Sequence, residues 1–125
     1  MAGPSRRSSE RWINAKRDLL EMLEQAARER ATVTYSDVSV RVFGGTVPAR
    51  SRYIMDLLAE VDEEVALERG IIIASLVVRA DSGIPGAGYF TFIASRFGAD
   101  VSDPRAAWEV EAERVWTAYA SEPSQ

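Results

Sequence analysis

The sequence predicts an α+β domain that is mainly helical: a winged helix-turn-helix with extra N- and C-terminal helices. Three observations favour this fold. Helical hydrophobic patterns occupy most of the chain, with a short strand at residues 32–35 after the first of them. An apolar run at residues 71–79 predicts a buried strand, and the glycine-rich residues 80–88 predict a hairpin that forms the wing. This order of elements is typical of the winged helix-turn-helix.

The first helix begins at Ser9, and its apolar residues recur at helical spacing: Trp12, Ala15, Leu19, Leu20, Leu23, Ala26 and Ala27. Local propensity is divided in the next segment. Strictly alternating valines favour a strand, whereas Asp37 after a serine is a good helix start and Gly44 a good stop. We expect a short strand at residues 32–35 and a short helix at residues 37–43.

A third helix is predicted to open at Pro48, a favoured residue type in a first helical turn, and to end at Gly70. Its expected buried positions are Ile54, Leu57, Leu58, Val61 and Val65. The run that follows is apolar at seven of its first eight positions, which predicts a strand at residues 71–79 buried on both faces.

The last third of the chain holds two further apolar segments. Residues 89–97 are expected to form either a short helix or a returning strand. Asp103 followed by Pro104 predicts the start of a final helix, with a stripe of Trp108, Ala112, Val115, Trp116 and Tyr119. This stripe is expected to pack on the core; if part of it were exposed, it would mark a homodimer or partner surface.

Length and composition fit one globular domain. The chain has 125 residues, 46% hydrophobic and 27% charged, enough for a core of helices on a small sheet. We expect a single winged-helix domain at residues 9–120, with disordered tails at residues 1–8 and 121–125. No apolar run approaches the roughly 20 residues that span a bilayer, so we expect a cytoplasmic protein without membrane association.

The residue types that are absent limit the possible chemistry. The chain has no Cys and no His, which excludes thiol nucleophiles, imidazole bases, disulfides and zinc sites of the usual type. No spaced acidic motif predicts another metal site. We therefore expect no catalytic residues, no metal and no cofactor, with an enzyme of another chemistry as a third and remote interpretation.

Three short motifs resemble the alkylguanine DNA alkyltransferases, and still more the alkyltransferase-like proteins. They are Thr34–Val38 (TYSDV), Pro48–Arg52 (PARSR) and Val77–Tyr89 (VVRADSGIPGAGY). The likeness covers about residues 31–90, and the last motif is also similar to small uncharacterised bacterial and phage winged-helix proteins. The resemblance implies a winged-helix domain that binds duplex DNA.

The resemblance also implies roles for single residues. Tyr35 corresponds to a tyrosine that presses on a phosphate, and Arg52 to an arginine that occupies the space of a flipped base. The family's alkyl-acceptor motif Pro-Cys-His-Arg-Val-Val falls on residues 73–78, with Ala74 in the place of the cysteine. Without a thiolate there is no alkyl transfer, so the resemblance implies a protein that binds but does not catalyse.

The candidate DNA-binding residues lie in three of these segments: Tyr35, Arg50, Ser51, Arg52, Arg79, Gly86 and Gly88. Other interpretations apply to each group. Tyr35 is more typical of a half-buried strand aromatic that packs on the core than of a phosphate contact. Both arginines at the start of the predicted third helix could be solvated, or Arg52 could pair with Asp56 one turn on. The two glycines could serve a tight hairpin at positive φ rather than close approach to a groove.

The charge balance supports a second function. The net charge is −4, whereas nucleic-acid-binding domains more often have a pI above about 9, so DNA binding would depend on a local patch. Acidic residues recur at four-residue spacing in the third helix, at Asp56, Glu60, Glu64 and Glu68. The alternative is therefore a protein-protein interaction module that presents this acidic face, unless the face is only solvated.

Overall fold

The computed structural model describes residues 9–120, which form five α-helices and two short strands in this part of the chain. The elements are α1 (Glu10–Arg28), β1 (Val33–Thr34), α2 (Tyr35–Phe43), α3 (Arg52–Arg69), β2 (Val77–Val78), α4 (Ala87–Phe97) and α5 (Pro104–Tyr119). The prediction of a mainly helical α+β fold is confirmed. The predicted tails lie outside the described residues.

The first and last helices begin where their capping residues predict. The Ser9 hydroxyl accepts a hydrogen bond from the backbone N–H of Trp12 at 3.1 Å. The Asp103 carboxylate accepts one from Ala106 at 3.2 Å, with Pro104 in the first turn of α5. Each side chain satisfies an N–H that the helix itself leaves without a partner.

The segment of alternating valines is a helix, as its caps predict. Thr34 and Asp37 form a reciprocal capping box, in which each side chain accepts the backbone N–H of the other, at 3.0 and 2.9 Å. This box starts α2 at Tyr35, two residues earlier than expected. Gly44 ends it in the left-handed conformation with φ 61°. Val40 is 65% exposed, because the helix turns it away from the core.

The third helix starts later than predicted, at Arg52 instead of Pro48. The Ser51 hydroxyl accepts the N–H of Ile54 at 3.3 Å, which makes Ser51 the N-cap. The N–H of Ser51 donates to the carbonyl of Pro48 at 3.1 Å, so residues 48–51 form a turn before the helix. The connection from α2 to α3 thus spans residues 44–51, longer than the three to four residues of a compact helix-turn-helix.

The predicted strand at residues 71–79 is wrong over most of its length. Residues 71–78 are buried, as expected, but Ile73–Leu76 forms a 3-10 helix. Only Val77–Val78 is a strand, and it pairs in parallel with β1 (Val33 beside Val77). The run is buried by packing on α1, α3 and α5 instead of by neighbouring strands. Tertiary contacts have overridden its strong β propensity.

The predicted wing hairpin is also not formed, since the sheet of the described residues holds only β1 and β2. The chain after β2 makes a turn, in which the N–H of Gly83 donates to the carbonyl of Arg79 at 2.9 Å and φ of Gly83 is +73°. The chain then enters α4, so residues 89–97 form a helix and not a returning strand. Gly86 caps α4 at φ −76° and Gly88 lies in its first turn, so neither glycine has the expected positive φ.

The final helix packs on the core as predicted. Ala112, Val115 and Tyr119 are buried, and Trp108 and Trp116 pack against the core clusters. The indole N–H of Trp108 donates to the carbonyl of Ser75 at 2.7 Å. Within residues 9–120, no helix combines the length and the apolar character needed to cross a membrane.

Candidate nucleic-acid interface

An open cleft of about 250 Å³ lies at the start of α2, between the α2–α3 connection and the residues after β2. Tyr35 is at its inner side, and Arg50 and Arg79 belong to its lining. The hydroxyl of Tyr35 accepts a hydrogen bond from the backbone N–H of Gly86 at 3.1 Å. The cleft therefore joins residues from the three sequence motifs that predict a DNA-binding surface.

Tyr35 is part of the cleft but only 8% exposed, which favours its interpretation as a core aromatic. Burial raises the pKa of its hydroxyl, although the N–H of Gly86 and the charges of Arg50 and Arg79 act in the opposite direction. The hydroxyl stays protonated at neutral pH and retains one hydrogen to donate. Its main effect is to position the loop around Gly86.

Arg50 extends over the backbone of Gly86 and is exposed. A β-carbon placed on Gly86 would lie 3.5 Å from Nη2 of Arg50 and 3.8 Å from the Tyr35 hydroxyl. Arg52 is exposed in the first turn of α3. Among residues 9–120, no acidic side chain forms an ion pair with either arginine, and Arg52 is not paired with Asp56. Their charges are therefore not neutralised by the described part of the protein.

Arg79, by contrast, is held by an acidic neighbour. Its Nε and Nη2 atoms donate to the two carboxylate oxygens of Asp81 at 3.0 and 2.7 Å. This two-point contact lowers the pKa of the Asp81 carboxyl. The cleft thus has one arginine whose charge is compensated and one, Arg50, whose charge is not.

The structure brings together four of the seven predicted DNA-binding residues, namely Tyr35, Arg50, Arg79 and Gly86. The other three lie around them. The hydroxyl of Ser51 is used to cap α3, and Arg52 follows it in the helix. Gly88 lines a second cavity on the other side of Tyr35.

This second cavity, about 220 Å³, is lined by Asp62, a residue that belongs to none of the sequence motifs. Asp62 is 2% exposed, and its Oδ1 accepts the backbone N–H of Ala74 at 2.8 Å. Burial raises the pKa of its carboxyl to about 7, more than the Ala74 N–H lowers it. A helical projection of α3 could have found it, because Asp62 shares the buried face with Leu58 and Val65.

Ala74, which stands where the resemblance places an acceptor cysteine, lines the same cavity. Beside it, the hydroxyls of Ser75 and Tyr89 are 2.6 Å apart and both residues are buried. Burial raises the pKa of Tyr89 well above its ordinary value. The wall at Ala74 is thus held in place by the hydrogen bond between Ser75 and Tyr89.

The acidic positions of α3 are partly occupied by contacts with α1. The ammonium group of Lys16 lies 2.7 Å from a Glu64 carboxylate oxygen and 3.5 Å from one of Glu60. The indole N–H of Trp12 also donates to Glu60, at 2.5 Å. Two of the four carboxylates therefore hold α1 against α3, which leaves less of the acidic face for a protein partner.

Within the described residues, no group of three or more Cys, His, Asp or Glu side chains is placed to hold a metal ion. Comparison of the chain with protein-family models, with curated proteins and with solved structures found no match.

Proposed function

We propose that this protein binds duplex DNA, without catalysis, through the cleft at the start of α2 and the first turn of α3. One observation carries the proposal. Arg50 and Arg52 flank the capped start of α3, are exposed, and pair with no acidic side chain among residues 9–120. In an acidic chain, two uncompensated arginines on either side of Ser51 supply the local positive charge that phosphate binding requires.

The order of α2 and α3 supports a helix-turn-helix mode of docking. In that mode the N-terminal residues of the second helix contact base edges, while neighbouring groups hold the phosphates. Arg52 at the start of α3 would then be the groove contact, and Arg50 at the cleft a phosphate contact. The loop at residues 79–86 would take the place of a wing, although it is a turn and not a strand hairpin.

The motif resemblance to alkyltransferases and alkyltransferase-like proteins is a second line of support. The tyrosine and arginine motifs it depends on, at Tyr35 and Arg52, lie beside the same surface. Ala74 in the place of the acceptor cysteine leaves no thiolate for alkyl transfer, so we propose binding alone. A DNA partner is also compatible with the cytoplasmic location expected from the sequence.

The test is a fluorescence anisotropy titration of a short labelled duplex at about 50 mM salt, where electrostatic contacts are strong. We expect Arg52→Ala to weaken binding about 5- to 150-fold, the effect of 1–3 kcal/mol for a groove contact. Arg50→Ala should also weaken binding, and the loss should be about the same for every duplex sequence, because a phosphate contact does not depend on the bases.

Arg17→Ala is the matched control, because it removes one exposed arginine on α1 and changes the net charge equally. It should change the affinity less than twofold. The proposal fails if the wild-type protein does not bind duplex DNA, or if all three variants lose affinity equally. The second result would mean that binding follows net charge instead of this surface.

A further inference from the structure

The cavity around Asp62 has the size and lining of a site for a small ring. Its volume is about 220 Å³, below the usual range for drug-sized ligands. The buried part of its lining includes Leu58, Asp62 and Ala74, and the partly exposed part includes Met55 and Phe92. The partly exposed residues give the cavity a rim at the protein surface.

The charge of Asp62 is uncompensated. In residues 9–120, the one hydrogen bond to its carboxylate comes from the N–H of Ala74, and no Lys or Arg forms an ion pair with it. The titratable groups that face it are Tyr35, Tyr89 and Glu63, none of which is positive. A buried carboxylate without a positive partner is unfavourable, so the site favours either a proton or a cation.

The walls of the cavity are suited to a cation with a flat body. Aromatic rings of Tyr35, Tyr89 and Phe92 line it, and the face of an aromatic ring attracts a cation within about 6 Å of its centre. Tyr89 is fixed by its contact with Ser75 and by an edge-on contact with Phe90, at 5.0 Å between ring centres. Apolar walls with one carboxylate match an aromatic ligand that carries one positive group.

We propose that the Asp62 cavity binds a small aryl amidinium or arylalkyl ammonium ion, whose N–H groups donate to the Asp62 carboxylate while its ring packs among Tyr35, Tyr89 and Phe92. This site goes beyond DNA binding and does not depend on it, because the two arginines of the proposed interface lie outside the cavity lining. Benzamidine, a benzene ring that carries one amidinium group, is a simple member of this class.

Ligand binding should be coupled to loss of a proton. The carboxyl of Asp62 has a pKa of about 7 without ligand, so it is mostly protonated at pH 5 and must ionise to pair with the cation. The affinity should then rise about tenfold for each pH unit between pH 5 and 7 and level off above that range.

The experiment is calorimetric titration of the full chain with benzamidine at pH 5, 6, 7 and 8, and with benzamide as the neutral analogue of the same shape. At pH 8 we expect benzamidine to bind with a Kd of about 1 mM or lower, and benzamide at least tenfold more weakly. Only the benzamidine affinity should follow the predicted pH dependence. Absence of benzamidine binding, equal binding of benzamide, or an affinity independent of pH would each overturn the proposal.

Two variants localise the site. Asp62→Asn retains an oxygen that can accept the N–H of Ala74, and should lower the benzamidine affinity at pH 8 at least tenfold and remove its pH dependence. Glu68→Gln removes an exposed carboxylate from the same helix and should leave both unchanged. Equal losses in the two variants would show general attraction to an acidic protein and would contradict a site at Asp62. If Asp62→Asn does not fold, the wild-type pH series decides alone.

Discussion

The backbone N–H of Gly86 donates a hydrogen bond of 3.1 Å to the hydroxyl of Tyr35, across 51 positions of sequence. Tyr35 is the first residue of α2, and Gly86 is the N-cap of α4. Both residues are buried, so loss of the bond would leave a buried polar group without its protein partner. This bond therefore fixes the loop at residues 79–86 against the helix that begins the proposed interface.

Removing the Tyr35 hydroxyl should lower stability. Tyr35→Phe leaves the buried N–H of Gly86 without an acceptor, which costs about 1–3 kcal/mol in the free energy of unfolding. Urea denaturation measures this as a lower midpoint at unchanged slope. A stability within about 0.5 kcal/mol of the wild type would show that the loop is not held by this bond.

Gly86→Ala is the comparison variant, because it keeps the N–H that donates to Tyr35. Its φ of −76° suits any residue, and the nearest side-chain atom, Nη2 of Arg50, lies at ordinary contact distance from the new carbon. We expect a change within about 0.5 kcal/mol. A loss as large as that of Tyr35→Phe would mean that the close approach of the backbone matters more than the hydrogen bond.

Two other glycines, Gly83 in this loop and Gly88 in α4, should respond in opposite directions to alanine. Gly83 has φ +73°, where a side chain costs about 1–2 kcal/mol, so Gly83→Ala should destabilise the protein. Gly88 lies in the first turn of α4 with no atom within 4 Å of an added carbon, so Gly88→Ala should stabilise by about 0.5–1 kcal/mol. The two urea midpoints should lie on either side of the wild type; if both fell, the assignment of Gly88 to a helix would be wrong.

The helices could be predicted because their signals are local. Ser9 and Asp103 cap the helices they precede, and Gly70 ends α3, as the sequence indicates. The start of α3 is harder to predict from the sequence, since both Pro48 and Ser51 are good starting residues. The turn at residues 48–51 determines that the helix begins after Ser51. The capping box at Thr34 and Asp37 outweighed the β propensity of the valines.

The segment after α3 could not be predicted from local pattern. A continuous apolar run indicates burial, but it does not reveal whether strands or helices provide the contacts. Here the contacts come from helices, and the Asp62 carboxylate accepts a backbone N–H of the run that a partner strand would otherwise satisfy. Among the site residues, Arg50 and Tyr35 could be identified from the sequence motifs. Asp62 does not, because its importance comes from burial beside a cavity.

The raised pKa of Asp62 predicts how stability depends on pH. The folded state keeps the proton of Asp62 up to about pH 7, whereas the unfolded chain releases it near pH 4, so folding takes up a proton between these values. The contribution of Asp62 to stability is therefore largest at low pH and falls as the pH rises to 7, by roughly 4 kcal/mol at most.

The variant Asp62→Asn isolates this contribution, because an amide does not titrate and all other groups remain. The stability of Asp62→Asn relative to the wild type should increase from pH 5 to pH 8, as the wild type alone becomes less stable. Urea denaturation of both proteins at each pH gives the difference directly. A difference that is constant with pH would show that the Asp62 carboxyl titrates alike in the folded and unfolded states.

The contact between Arg79 and Asp81 predicts a change that should strengthen DNA binding. Asp81 holds the guanidinium of Arg79 by two hydrogen bonds at the cleft, and its negative charge repels phosphate there. Asp81→Asn should raise the duplex affinity more than Glu109→Gln, which removes one exposed negative charge on α5, away from the lining of the cleft. If Arg79 becomes free to bind a phosphate, the slope of log affinity against log salt concentration should also become more negative. The expected change is about −0.9, the effect of one added phosphate contact. Anisotropy titrations between about 50 and 200 mM salt measure both quantities. Equal gains in the two variants would assign the effect to net charge, and no gain in Asp81→Asn would place Arg79 outside the DNA-binding surface.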